Sequence, residues 1–168
     1  MNPKLYWLKN ASSGLAISAR PRGGDWLEDE VEGWRRQGID VVVSLLTDRE
    51  KQELDLINED AIAVRKGIQY FSFPIEDRGV PSSLSETENI ALQLAAEVQE
   101  GKKVVIHCRQ GIGRSSLLAA AVLISRGGDI TSALKVISDA RGVEVPETPE
   151  QRDWLKHFAK TRSASALR

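Results

Sequence analysis

Two short runs rich in β-branched residues, at 41–46 and 103–107, show no regular polar alternation. A strand of that kind must be covered on both faces, which is the habit of parallel sheets. Between such runs lie longer segments with apolar residues at helical spacing. The alternation predicts an α/β fold in a single domain spanning 1–168. Its core would be a central, mostly parallel sheet of about four or five strands, flanked by helices on both faces.

Segments 5–8 and 15–18 read as two further strands, joined across a turn at 10–14. Asp25 is placed to cap a helix running to about Gln37 and stopped by Gly38. A second helix is expected with Leu54, Ile57, Ala61 and Val64 on one stripe, ended by Gly67. A strand at 68–73 then leads into a loop at 74–83 holding two prolines, a glycine and two carboxylates. Ser85 to Glu88 has the form of a capping box, with Ala91, Leu94, Ala95 and Val98 as the buried stripe behind it. The helix expected at 115–125 is apolar nearly all round and therefore central, and another follows at 130–140. Thr148 and Pro149 open the last helix, with Trp154, Leu155 and Phe158 facing inward. The core is expected over 5–160, with 162–168 a frayed tail.

The chain has 168 residues and a formal net charge of −1, which gives no global electrostatic reason to bind nucleic acid. No apolar run is long enough to span a bilayer, and the N-terminus lacks a signal-like stretch, so a cytoplasmic location is expected. There is one cysteine, and the two histidines, His107 and His157, are far apart. That pattern offers no metal-ligand spacing, and neither a metal nor a cofactor is expected.

The lone cysteine would pass for a small buried hydrophobe but for its neighbours: His107-Cys108-Arg109-Gln110-Gly111-Ile112-Gly113-Arg114-Ser115. An apolar strand ends at His107, a glycine-bearing turn follows, and a helix begins near Ser115. The glycines allow successive N–H groups to face inward as an anion nest, to which the helix N-terminus adds free N–H groups and its positive dipole end. Arg114 can close the nest with two parallel hydrogen bonds to phosphate oxygens. The same cationic setting favours the ionised form of a thiol. Cys108 would lie beneath a bound phosphate, placed for in-line attack, while Ser115 Oγ could stabilise the thiolate. The phosphate would be held by Arg109, Gln110, Gly111, Ile112, Gly113 and Arg114.

Residues 107–115 resemble the signature loop of the cysteine-dependent protein-tyrosine phosphatase superfamily, and most of all its dual-specificity branch. The resemblance implies a phosphomonoester hydrolase that acts on phosphotyrosine, and on phosphoserine or phosphothreonine, through a phosphocysteine. Its partner would be a phosphorylated protein or peptide, and the enzyme would work as a monomer. It also implies a general acid from a loop about 30 residues before the cysteine. Asp77, three residues after Pro74, fits that form, with Glu76 as its competitor. His107 looks like an imidazole that orients the loop. Gln151 resembles a glutamine that positions hydrolytic water. Arg20, Arg22 and Arg78 lie in loops that could rim the site, and Glu50 or Glu53 could brace Arg114. The rival readings are a phosphoinositide or inositol-phosphate phosphatase, a rhodanese-like sulfurtransferase, and a non-catalytic phospho-reader on the same fold.

Overall fold

The apolar runs pair into one five-stranded sheet in a computed structural model that describes residues 2–9 and 14–166, the last four by backbone alone. The strands are β1 (Tyr6–Trp7), β2 (Leu15–Ser18), β3 (Val41–Ser44), β4 (Gln69–Ser72) and β5 (Val104–His107). Their order across the sheet is β1-β2-β5-β3-β4, and only β1 is antiparallel to its neighbour. The turn expected at 10–14 falls largely outside the described residues.

The helices are α1 (Leu27–Arg36), α2 (Asp48–Glu53), α3 (Glu59–Arg65), α4 (Leu84–Gln99), α5 (Gly113–Ser125), α6 (Ile130–Arg141) and α7 (Pro149–Ala166). One face of the sheet carries α4 to α7, packed over Ile17, Val43 and Ile106; the other carries Leu27, Val31 and Trp34 of α1 and Ala63 of α3, packed over Val42 and Val105. Residues 41–43 and 104–106 are fully buried, so the absence of alternation in these runs has the cause expected of it. Every residue of α5 from Gly113 to Ile124 is buried, because α4, α6 and α7 enclose it.

Several local expectations give way. Asp25 caps no helix; it lies in a 3₁₀ turn at Gly24–Trp26 that leads into α1 without a side-chain cap. The single helix expected after β3 is two short ones, interrupted where Asp55 takes a left-handed φ of 57°. The break changes the phase of the pattern, so Leu56 and Ala63 are buried while Ile57 and Val64 face solvent. The cap of α4 is Ser83, whose hydroxyl accepts from Glu86 N–H, two residues before the expected Ser85. At the other end of the chain α7 continues to Ala166, so a helix occupies most of the stretch expected to fray, and Arg162 is paired with Glu88 at 2.8 Å.

One row of the sheet positions everything that follows. Ser18, His107, Ser44 and Ser72 are in register across β2, β5, β3 and β4, and each ends its strand. The loops that leave this row therefore emerge on the same edge, the carboxyl ends of the parallel strands, where open α/β sheets place their ligands.

Candidate active site

The chain leaves β5 at His107 and enters α5 at Gly113, so residues 108–112 turn in a single loop at the centre of the sheet edge. Helix α5 begins two residues earlier than expected, which places Arg114 within its first turn. Gly111 has a φ of 71°, and a Cβ there would lie 2.5 Å from the carbonyl oxygen of Ser18. Both facts demand glycine: the loop is pressed against the end of β2 in a conformation that other residues rarely adopt. The Gly111 N–H donates to Cys108 Sγ at 3.2 Å, and the sulfur is almost wholly buried.

Arg114 is 2% exposed, and both terminal nitrogens of its guanidinium are engaged. Nη1 and Nη2 donate to Glu50 Oε1 and Oε2 at 2.7 and 2.9 Å, and Nη1 also donates to the Ile75 carbonyl at 2.9 Å. Asp77 Oδ1 lies 3.3 Å from Nη2. Burial works against the charge on Arg114, but the hydrogen bonds to Glu50 and the nearby Cys108, Glu50 and Asp77 outweigh it and hold the guanidinium above its ordinary pKa.

Asp77 reaches this point because Ile75, two residues before it, is buried and its N–H donates to Leu45 O at 3.0 Å. The acid itself is exposed, at 61%. Of the two candidates in this loop, Asp77 lines the pocket and Glu76 does not. The pocket has a volume of about 120 Å³ and is walled by Asp77, Arg78, Cys108, Arg109, Gln110, Arg114 and Glu147. A larger hollow of about 830 Å³ lies at the far end of α5, against α6 and α7, and includes none of these residues. Chemistry rather than size marks the site.

The remaining expected residues fall as follows. Ser115 is buried on the first turn of α5, and its Oγ has no hydrogen-bond partner among the described residues. Ile112 and Gly113 carry the loop into the helix, and Gly113 is packed against the Glu147 carboxylate. His107 is fully buried, stacked on Trp34, with Nε2 2.6 Å from Glu59 Oε1 and Nδ1 3.3 Å from the Cys108 carbonyl oxygen. Gln151 is also fully buried. Its amide is engaged at both ends, Nε2 donating to Gly79 O at 3.1 Å and Oε1 accepting from Glu147 N–H at 3.1 Å. The Gln151 side chain thus links the loop that carries Asp77 to the residue two before α7. Of the loop arginines, Arg78 reaches the pocket, whereas Arg22 is drawn away to Glu30 and stacks on Trp26.

Four further side chains belong to the site: Glu50, which the sequence offers as a brace alongside Glu53, and Glu59, Arg141 and Glu147, to which it does not point. Glu50 is the brace of Arg114, while Glu53 pairs with Arg49 instead. Its signal was present: Thr47-Asp48-Arg49-Glu50 is a capping box, and a carboxylate fixed by such a box has a defined direction. Glu59, Arg141 and Glu147 had no local signal, since each reaches the site from a distant segment.

A family profile described as "Polymorphic toxin system, DSP-PTPase phosphatase" (Tc-R-P) matches residues 17–128, well over half of the chain. The chain belongs to this family. The DSP-PTPase assignment agrees with individual relatives. Cyclin-dependent kinase inhibitor 3 of Rattus norvegicus is 28% identical over 134 residues, covering 79% of this chain and 63% of that protein. The chain therefore spans less than two thirds of that relative's length. Among solved structures, Tk-PTP in its active form is 31% identical, with a TM-score of 0.78 over 94% of this chain and 97% of that one. Kinase associated phosphatase, carrying a serine in place of its catalytic-site cysteine, has a TM-score of 0.85 over 98% of both chains. At 24% identity that likeness concerns the DSP-PTPase fold alone.

Proposed function

We propose that this protein is a protein-tyrosine/dual-specificity phosphatase that hydrolyses phosphomonoesters on phosphotyrosine, and on phosphoserine or phosphothreonine, through a phosphocysteine intermediate. The observation that carries the reading is the convergence of Cys108, the Glu50-braced Arg114 and Asp77 on one small pocket. Membership of the DSP-PTPase family supports the same reaction class.

In the first step Cys108 Sγ forms a bond to phosphorus as the bond from phosphorus to the leaving oxygen breaks. The leaving oxygen takes its proton from Asp77. Arg114 and the N–H groups of residues 109–114 hold the three phosphoryl oxygens, whose charge is what must be stabilised in such a transfer. In the second step water attacks phosphorus, its proton passes to the Asp77 carboxylate, and the sulfur departs as thiolate. The unpartnered Ser115 Oγ is available to stabilise that departing charge. His107 and Glu59 hold the base of the loop. A free thiol used in this way requires a reducing compartment, and we place the protein in the cytoplasm.

The test is hydrolysis of p-nitrophenyl phosphate and of phosphotyrosine, phosphoserine and phosphothreonine peptides, with Cys108→Ser beside the unaltered protein. The expected result is turnover by the unaltered protein and none by the variant, with phosphate binding retained. Comparable turnover by both would overturn the assignment.

A further inference from the structure

Arg141, the last residue of α6, reaches back to the outer side of the phosphate loop. Its Nε donates to Gly111 O at 2.6 Å and its Nη2 to Gln110 O at 3.5 Å. Its guanidinium lies over the Tyr6 ring, 3.7 Å from the centroid, so the edge strand β1 supports it from behind. The residue is only half-buried, and no carboxylate pairs with it among the described residues.

A trans peptide unit points its C=O and the following N–H in opposite directions. Holding Gln110 O outward therefore directs the N–H of Gly111 inward, where it donates to Cys108 Sγ at 3.2 Å. Holding Gly111 O outward directs the N–H of Ile112 inward in the same way. These are two consecutive donors of the proposed oxyanion cradle. With its φ of 71°, Gly111 has little steric resistance to rotation of its own, so the orientation of these units needs an external hold.

We infer that Arg141 is a positioning residue for catalysis: braced by Tyr6, it orients the peptide units 110–111 and 111–112 so that their N–H groups face the sulfur and the bound phosphate. The inference rests on the phosphatase reading above. It assigns to a side chain outside the signature loop part of that loop's affinity for the oxyanion and of its support for the thiolate.

The experiment compares the unaltered protein with Arg141→Ala, Arg141→Lys and Tyr6→Leu. It measures orthovanadate inhibition, kcat and KM on p-nitrophenyl phosphate, the pH profile of iodoacetamide alkylation at Cys108, and thermal unfolding. Arg141→Ala is expected to weaken vanadate binding about tenfold, the usual size for losing a charged hydrogen bond. It is also expected to displace the alkylation profile to higher pH. Arg141→Lys, which keeps one donor but loses the fork, should fall between the two. Should Arg141→Ala fail to fold, Tyr6→Leu and Arg141→Lys carry the same comparison. Vanadate affinity and an alkylation profile unchanged in the folded variants, whatever happens to thermal stability, would overturn the inference. Absence of turnover and of vanadate binding in the unaltered protein would instead overturn the phosphatase reading.

Discussion

Glu50 grips both terminal nitrogens of Arg114 at 2.7 and 2.9 Å from a helix that begins on the neighbouring strand's loop. The same carboxylate accepts from Thr47 N–H at 3.1 Å, so the residue that caps α2 also sets the direction of Arg114, the proposed phosphate clamp. A buried guanidinium fixed in this way presents its charge to the pocket without reorganising when phosphate arrives.

Removing that brace should be costly. Glu50→Ala leaves a buried cation without its bidentate partner, and the expected loss of stability is about 3–5 kcal/mol. Denaturant unfolding checks the magnitude, and kcat/KM on p-nitrophenyl phosphate should fall with it.

The Glu50 carboxyl also makes stability depend on pH. Burial pushes it up, but hydrogen bonds from Arg114 and Thr47 outweigh burial and hold it below its ordinary value of 4.5. A group depressed in the folded state stabilises above its unfolded pKa and loses that contribution as pH falls through its folded pKa. The stability advantage of the unaltered protein over Glu50→Gln should therefore be full near neutrality and shrink on acidification below 4.5. Unfolding midpoints of both proteins across that range provide the check.

Asp77 is expected to matter in proportion to how badly the leaving group needs a proton. Asp77→Asn should slow hydrolysis of a poor leaving group, such as an alkyl phosphate, by about 10²–10⁴-fold. A series of aryl phosphates should show a steeper dependence on leaving-group pKa than the unaltered protein. Equal losses across the series would remove Asp77 from the role of acid.

Gln151 separates two mechanisms. Its amide joins Gly79 O to Glu147 N–H, so Gln151→Ala should loosen the segment that carries Asp77. The expected defect lies in the first chemical step with poor leaving groups. A residue that oriented hydrolytic water would instead slow the second step and enlarge the burst of released phenol. Rapid-quench kinetics distinguishes the two outcomes.

Gly111 and Gly101 share a positive φ, of 71° and 87°, but only Gly111 has backbone within 3 Å of where a Cβ would lie. Gly101→Ala should cost about 1–2 kcal/mol and leave activity intact. Gly111→Ala should destabilise further and abolish high-affinity vanadate binding, because the loop must move off Ser18.

The strand, loop and helix around Cys108 were legible because they are contiguous: one segment holds the proposed nucleophile, cradle and clamp. Asp77 was legible only through the resemblance, since a solvated loop acid looks the same in isolation. Glu50 and Glu59 follow β3, which the sheet order sets beside β5, whereas Arg141 and Glu147 arrive from the end of α6 and the segment before α7, two helices packed on α5. Apolar periodicity failed at 48–65 for a related reason. It assumes one continuous helix, and the left-handed turn at Asp55 resets the phase. The capping box at Thr47, and for α4 the side-chain cap at Ser83, mark helix starts that the stripes do not.

The placement of β5 and β4 within the sheet has a mechanical consequence. Cys108 issues from a strand gripped on both sides, whereas the loop of Asp77 issues from β4, an edge strand whose residues Gln69 and Ser72 are open to solvent. In the proposed reaction, stiffness is thus allotted to the partner that must meet phosphorus at one angle, and compliance to the partner that must follow leaving groups of differing shape. Substitutions along the outer strand can retune the reach of the acid while the bed of the sulfur stays undisturbed.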